Sequence, residues 1–334
     1  MENTYSGSWD GTQYLLFDLR SIMIEELIIS GRMNPEIDPH LHAWPWYVPT
    51  DLFLAALVAG ILIFSAFLTL HGRENEFPAA VKRAPILAPF LLGIALLLLF
   101  LDLSHKLYFW QLYTNIRWTS PLSWGAWTYL FLTPLAFIWA AIHIKTAFPN
   151  WTWPYKWIDT FIESLKGYRI WFAWAILGLS LTLGMYTGIL LSAFNARPIW
   201  NSAIIGPLFL TSGLTSATAF ILLNCPKGSN EKKLFCTVSL ISLGVQTFLM
   251  IHLVMGYLSS DLAQVKAADL FLGGEFTTLF WILIVALGTL IPAYLHILYL
   301  KNIKIPVIVP SILIILGGFF LRYILVEAGQ ISHW

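Results

Sequence analysis

Residues 48–71 read VPTDLFLAALVAGILIFSAFLTLH, a run that carries one charge, Asp51, in its first turn and none for the next nineteen positions. An apolar run of about 20 residues matches the hydrocarbon thickness of a bilayer when helical. Seven more runs follow, at roughly 84–103, 122–145, 169–194, 200–224, 234–258, 277–300 and 305–326. Charged or turn-forming clusters such as His71-Gly72-Arg73-Glu74-Asn75-Glu76 separate them. The expected fold is therefore all-α: a polytopic membrane protein built as an eight-span helical bundle. Composition agrees. Of 334 residues 58% are hydrophobic and 11% charged, against about 25% charged in a soluble domain. The 16 Trp, 13 Tyr and 23 Phe suit two membrane interfaces. A soluble enzyme, a disordered chain and a nucleic-acid binder are excluded, and a net charge of +1 offers no field for a polyanion.

Eight spans put both termini on one side. Twelve of the 19 basic residues fall in loops on the other side, against seven on the side of the termini. Positive residues mark the cytoplasm, so both termini are expected to be periplasmic, in a bacterial inner membrane. Residues 1–45 form an expected periplasmic extension ahead of the bundle at 46–330. Within it, 12–30 has apolar residues at helical spacing (Leu15, Leu16, Leu19, Ile22, Met23) opposite Arg20, Glu25 and Glu26, which reads as an amphipathic helix on a membrane, a partner or the bundle itself. Residues 1–11 lack a basic stretch followed by an apolar run, so no cleaved signal peptide is expected. The stretch 148–167 mixes Trp with charges and reads as an interfacial loop or half-helix.

Polar residues inside spans cost about 2.5–3.5 kcal/mol each on insertion scales, so their positions are informative. Asp51 opens span 1. Asp102 ends span 2, with His105 just beyond. Tyr186 is near the end of span 4, and His252 lies in the outer part of span 6. Arg322 and Glu327 close span 8. All lie toward the side of the termini, and no buried carboxylate is expected in the other half. A molecule read by polar groups should bind on the termini side. Cys225 and Cys236 are too few for a cubane iron–sulfur cluster. The eight His (His40, His42, His71, His105, His143, His252, His296 and His333) put no two in one span, which argues against haem ligation. No metal site is expected. Nor is there the matched pair of broken helices that a secondary transporter would favour.

Three local patterns stand out. Thr119-Ser120-Pro121-Leu122-Ser123-Trp124-Gly125-Ala126-Trp127 reads as a helix start, with Ser120 able to cap it, Pro121 in the first turn and Gly125 permitting a close neighbour. Asn195-Ala196-Arg197-Pro198-Ile199-Trp200-Asn201 is a short turn that offers Arg197 to an acid or a polar head group. Gly317-Gly318-Phe319-Phe320-Leu321-Arg322-Tyr323 runs on to Glu327-Ala328-Gly329-Gln330, where Arg322 could pair with Glu327 or Asp51.

Together and in this order, the stretches 119–127, 195–201 and 321–330 resemble the NrfD/PsrC family, the membrane subunits of polysulfide reductase-like complexes. The resemblance spans about 48–330. It implies a quinone-reactive membrane-anchor subunit of a multi-subunit oxidoreductase. Electrons would pass between the menaquinone or ubiquinone pool and a periplasmic ferredoxin-like iron–sulfur subunit, and from there to or from a molybdopterin catalytic subunit. The protein itself would carry neither haem nor iron–sulfur cluster. The resemblance places Asp51, Asp102 and Tyr186 around the quinone, with Asp51 where a His is expected, and His105 and Arg197 are further candidates for that pocket. It assigns Arg322 to a proton route, which Glu327 and His252 would join. Two other readings stand beside it: a subunit of a larger quinol-oxidising complex of the alternative complex III type, coupled to proton translocation, and a secondary transporter.

Overall fold

The computed structural model describes residues 44–103, 105–226 and 229–332. The amphipathic helix expected over 12–30, with nearly all of the N-terminal extension, lies outside them. The described residues are helical, without a strand. Eight helices are long and apolar enough to cross a membrane: Tyr47–Leu70, Ala79–Asp102, Pro121–Ala147, Arg169–Ser192, Ile205–Asn224, Asn230–Leu258, Thr277–Leu300 and Ile308–Ile331, here spans 1 to 8. The protein is thus a multi-pass membrane protein. The side carrying Trp44 and Ser332 is called the N-terminal face below.

Span 1 is the axis of the bundle. In its most apolar window 78% of the residues are buried, against 28% in span 7. Its sequence explains this, because Ala55, Ala56, Ala59, Gly60 and Ala66 let neighbouring backbones approach. At Gly60 a β-carbon would lie 2.7 Å from the carbonyl oxygen of Gly213 on span 5, so that crossing admits only hydrogen. Spans 2, 3 and 4 group on one flank of span 1, and spans 5 to 8 on the other.

Several helix ends differ from the apolar runs, each for a local reason. Span 2 starts at Ala79, five residues early, through a π-helical turn Ala79–Arg83 whose Lys82 and Arg83 break the hydropathy but not the helix. Pro85 has no N–H to give to the carbonyl one turn back. The Val81 carbonyl oxygen instead receives Ser65 Oγ at 3.4 Å, and Ser65 Oγ itself accepts from Trp139 Nε1 at 2.8 Å. Span 6 starts at Asn230 and brings in Glu231, 2% exposed. This corrects the expectation that the half away from the N-terminal face holds no buried carboxylate. Glu231 is tolerated because its two oxygens accept the Ala79 and Ala80 amides at 3.1 and 2.9 Å, capping span 2 where the helix dipole favours an anion. Span 5 starts at Ile205 rather than 200. Buried Gln264 donates through Nε2 to the carbonyls of Pro198 and Asn201, holding that stretch outside the helix. Gln264 lies on a helix between spans 6 and 7, Leu262–Leu272, that Asp261 caps through the Gln264 amide. The segment expected at the interface contains the helix Lys156–Lys166, tied to span 3 by a Lys145–Asp159 ion pair.

Candidate functional site

At the N-terminal face, spans 1, 3 and 4 bring three polar side chains into their shared interior. Asp51, one turn into span 1, is 7% exposed. Tyr129 on span 3 is 2% exposed and donates its hydroxyl to Asp51 Oδ1 at 3.1 Å. Tyr186 on span 4 is 8% exposed, and its hydroxyl makes no hydrogen bond to another described residue. Its ring lies flush against Gly125, where a β-carbon would stand 2.0 Å from Cζ and 2.3 Å from Oη. Gly125 and Tyr129 are four residues apart, hence on one face of span 3. Span 3 thus seats one phenol and presents another.

Two further groups lie within electrostatic reach. Asp102, the last residue of span 2, acts on Asp51, and Tyr113, in the segment between spans 2 and 3, acts on Tyr129. Both are partly exposed, and burial pushes the Tyr113 phenol above its ordinary range. The same segment walls a cavity of about 790 Å³ of mixed lining, with His105, Gln111, Asn115, Arg117 and Ser123 beside Leu103, Phe109 and Ile116. The buried carboxylate and two phenols can hydrogen-bond a carbonyl and hold a proton, while the cavity, called the vestibule below, is walled by the segment that follows span 2.

The other residues singled out by sequence distribute differently. His105 is exposed and belongs to the vestibule. Arg197 donates to the carbonyl of Ser332 at 3.1 Å, fastening the 195–201 turn to the end of span 8. Arg322 is fully buried, and among the described residues no carboxylate pairs with it. It donates instead to Ser212 Oγ at 3.1 Å and to the carbonyls of Gly318 and Phe209 at 2.9 and 2.7 Å. The rings of Phe53 and Phe209 stand 5.9 and 4.8 Å from its Cζ. Glu327 is half-buried, and His252 is exposed on span 6 with its Nδ1 at 2.8 Å from its own helix's Phe248 carbonyl. The structure does not gather Arg322, Glu327 and His252 into one cluster.

The second and third sequence patterns stitch helix ends together, while the first opens span 3 and carries Gly125. Pro121 opens span 3, but the Ser120 hydroxyl does not cap it. Trp200 lies on Gly329, where a β-carbon would stand 1.8 Å from Nε1, and that Nε1 donates to the Leu325 carbonyl at 2.9 Å. The Gln330 side chain bonds both the amide and the carbonyl of Trp44, whose ring stacks on Trp200 at 5.1 Å. Sequence reading missed Tyr129 and Tyr113. The signal for Tyr129 was available, since it continues the Gly125 face by one turn. Among the described residues no three His, Cys, Asp or Glu side chains gather as a metal site.

Comparison with known proteins fits this architecture. The family model described as "Polysulphide reductase, NrfD" matches residues 35–332. The C subunit of polysulfide reductase from Wolinella succinogenes is 27% identical over 301 residues, spanning 86% of the present sequence and 94% of its own. Protein NrfD of Escherichia coli is 26% identical over 303 residues, spanning 86% and 95%. An NrfD homolog of Haemophilus influenzae is 25% identical over 321 residues.

Proposed function

The protein belongs to the NrfD polysulphide reductase family and is a membrane subunit of an oxidoreductase complex; from that premise we propose that it exchanges electrons with a membrane quinone at the site formed by Asp51, Tyr129 and Tyr186. The carrying observation is the buried Asp51–Tyr129 pair beside a Tyr186 hydroxyl that makes no bond to another described residue. A quinone head group offers two carbonyl acceptors and needs donors in a dry place. Reduction takes two electrons and two protons, one proton to each oxygen; quinol oxidation returns both. Tyr186 orients one carbonyl as donor. Asp51 holds and transfers a proton, and Tyr129 fixes the carboxyl through Oδ1. Asp102 and the vestibule containing His105 connect Asp51 to water at the N-terminal face.

The charge bias of the loops supports a periplasmic N-terminal face in a bacterial inner membrane. A relative named as one subunit of a polysulfide reductase supports partner subunits. In this reading a ferredoxin-like iron–sulfur subunit and a molybdopterin enzyme dock on that face and perform the terminal chemistry. The first test is affinity purification in mild detergent, with mass spectrometry and metal analysis. Iron and molybdenum with both partners are expected. Haem proteins without molybdenum would redirect the reading to a larger quinol-oxidising complex, and a metal-free protein alone would overturn the oxidoreductase assignment. The site is tested in the purified complex: Asp51→Asn and Tyr186→Phe should slow quinol-linked turnover strongly while assembly persists. Wild-type turnover in both variants would sink it.

A further inference from the structure

A second cavity runs along the outer side of spans 3 and 4. It measures about 350 Å³ and reaches from Arg117 and Trp118 near the N-terminal face to Phe131 and Leu179 deeper in the bundle. Its walls are almost wholly carbon. Thr128 and Thr182 line it, but their hydroxyls donate to the Trp124 and Gly178 carbonyls of their own helices. Trp118, Trp124 and Phe131 are exposed along it. Behind it the Tyr186 ring packs against Gly125 and closes the seam toward Asp51. The groove is therefore a trough on the outer surface of the bundle.

Two donors interrupt the carbon. Arg117 is the one charged residue among those lining the groove. Its guanidinium makes no hydrogen bond or ion pair with another described residue. The indole Nε1 of Trp127 is buried without an acceptor, whereas that of Trp124 donates to the Trp118 carbonyl at 2.9 Å. The helix sets the levels of the two free donors. The Arg117 amide donates to Ser123 Oγ at 3.2 Å, which holds Arg117 beside the first turn of span 3. Trp127 follows Ser123 by four residues, about 6 Å further along the helix, and Phe131 is one turn deeper again. The groove also meets the vestibule. Ile116, Arg117 and Ser123 line both cavities, so the cation stands where the carbon-walled trough gives way to a space lined by Gln111, Asn115 and Ser120. No Asp or Glu is among the residues lining either cavity.

We propose that this groove binds an anionic phospholipid from the leaflet at the N-terminal face, with its phosphate on Arg117. A guanidinium forms charge-assisted hydrogen bonds with phosphate oxygens, and basic pockets at helix ends take lipid head groups in this way. The Trp127 N–H donates to a fatty-ester carbonyl, and the acyl chain lies along Trp124, Phe131 and Leu179. The polar end of the head group projects into the vestibule. The order of groups in the wall is the order in a glycerophospholipid: phosphate first, ester carbonyls a glycerol unit deeper, then hydrocarbon. An uncharged amphiphile leaves Arg117 without a counter-charge. The ammonium of phosphatidylethanolamine would stand near Arg117 with no carboxylate in either lining to meet it. A glycerol head group brings only hydroxyls, which Gln111 and Asn115 can bond, so phosphatidylglycerol is the favoured occupant.

The test is native mass spectrometry of the purified complex, equilibrated in nanodiscs that hold phosphatidylglycerol and phosphatidylethanolamine with identical chains in equal amounts. The wild type should retain phosphatidylglycerol over phosphatidylethanolamine by about tenfold. Arg117→Gln, at an exposed residue, should erase that preference, and Arg117→Lys should keep most of it. Thr182→Phe fills the trough and Leu179→Trp narrows it one turn deeper. Either should bring phosphatidylglycerol down to the level of phosphatidylethanolamine, and two variants guard against one that fails to fold. Glycerol phosphate, the head group without chains, should not displace the lipid. Equal retention of the two lipids by the wild type overturns the proposal. So does a preference that survives Arg117→Gln, because the selecting charge then lies elsewhere. A preference untouched by both groove variants removes the acyl chain from this trough and overturns it as well. Displacement by glycerol phosphate would make Arg117 a site for soluble phosphate esters instead of lipid.

Discussion

The two flanks of span 1 each bury an ionisable side chain, and they treat it in opposite ways. On the side of spans 2 to 4, Asp51 has one hydrogen bond, from Tyr129, and a neighbouring Tyr186 with nothing among the described residues to bond. Both cavities described above adjoin this flank. On the side of spans 5 to 8, Arg322 makes three hydrogen bonds, two of them to main-chain carbonyls, and lies between Phe53 and Phe209. Only its Nε lacks an acceptor. Gly317 and Gly288 close the space nearby, where a β-carbon on Gly317 would lie 2.4 Å from the Gly288 Cα. A buried charge held by three hydrogen bonds from two of its nitrogens reads as a structural clamp, even with its Nε unmatched. One with a single hydrogen bond, beside a phenol that bonds no other described residue, keeps a donor to spare, as the proposed quinone site requires.

The largest effect should come from Asp51→Asn. A group that holds a transferred proton contributes about 10²–10⁴-fold, so quinol-linked turnover should fall at least about a hundredfold with the complex intact on gel filtration. Gly125→Ala comes next. Its methyl would occupy the place of the Tyr186 ring, and displacing that phenol by about an ångström should cost tens of fold in turnover, up to about a hundredfold. Arg322→Met then breaks or sharpens the contrast directly. A clamp predicts lowered thermal stability, by about 1–2 kcal/mol, and turnover within about twofold of wild type once folded material is compared. Loss of turnover in fully stable Arg322→Met would place this residue in the chemistry and erase the distinction. The smallest effect concerns Cys225, at the far end of span 5. Burial first, and then the neighbouring Glu231, pushes its thiol up to about 12. The thiolate is the reactive form, so maleimide labelling of the folded protein should be negligible at pH 7 and rise about tenfold per pH unit below that value. Fast labelling at neutral pH, read by mass shift, would mean that the closed flank opens.

The eight spans were legible because crossing hydrocarbon requires about 20 apolar residues and nothing else in a sequence imitates that. Helix ends were less so. Lys82, Arg83 and Glu231 look like loop residues, and only the tertiary structure supplies the Ala79 and Ala80 amides that let Glu231 sit inside. The candidate cluster was half legible. Asp51, Asp102 and Tyr186 stand out as polar residues near the ends of apolar runs. Tyr129 hid among 13 tyrosines in a sequence rich in interfacial aromatics. His252 shows the complementary limit, since depth along a span can be read from sequence but not which way the side chain faces. The ion pair open to Arg322 is not made, for a chemical reason. A guanidinium carries five donors, and two carbonyls with a serine hydroxyl take three of them without any acid.

The cap on span 2 bears on how the protein is made. The carboxylate that satisfies the Ala79 and Ala80 amides lies about 150 residues downstream. A helix start in or near a bilayer cannot leave its first amides bare. During synthesis span 2 therefore enters the membrane with that end provisionally satisfied by water or lipid head groups. It reaches its final bonding only when span 6 has emerged from the ribosome. Insertion of this protein is then not a march of independently finished segments. The second helix waits for the sixth, and a nascent polypeptide interrupted between them carries an unfinished end.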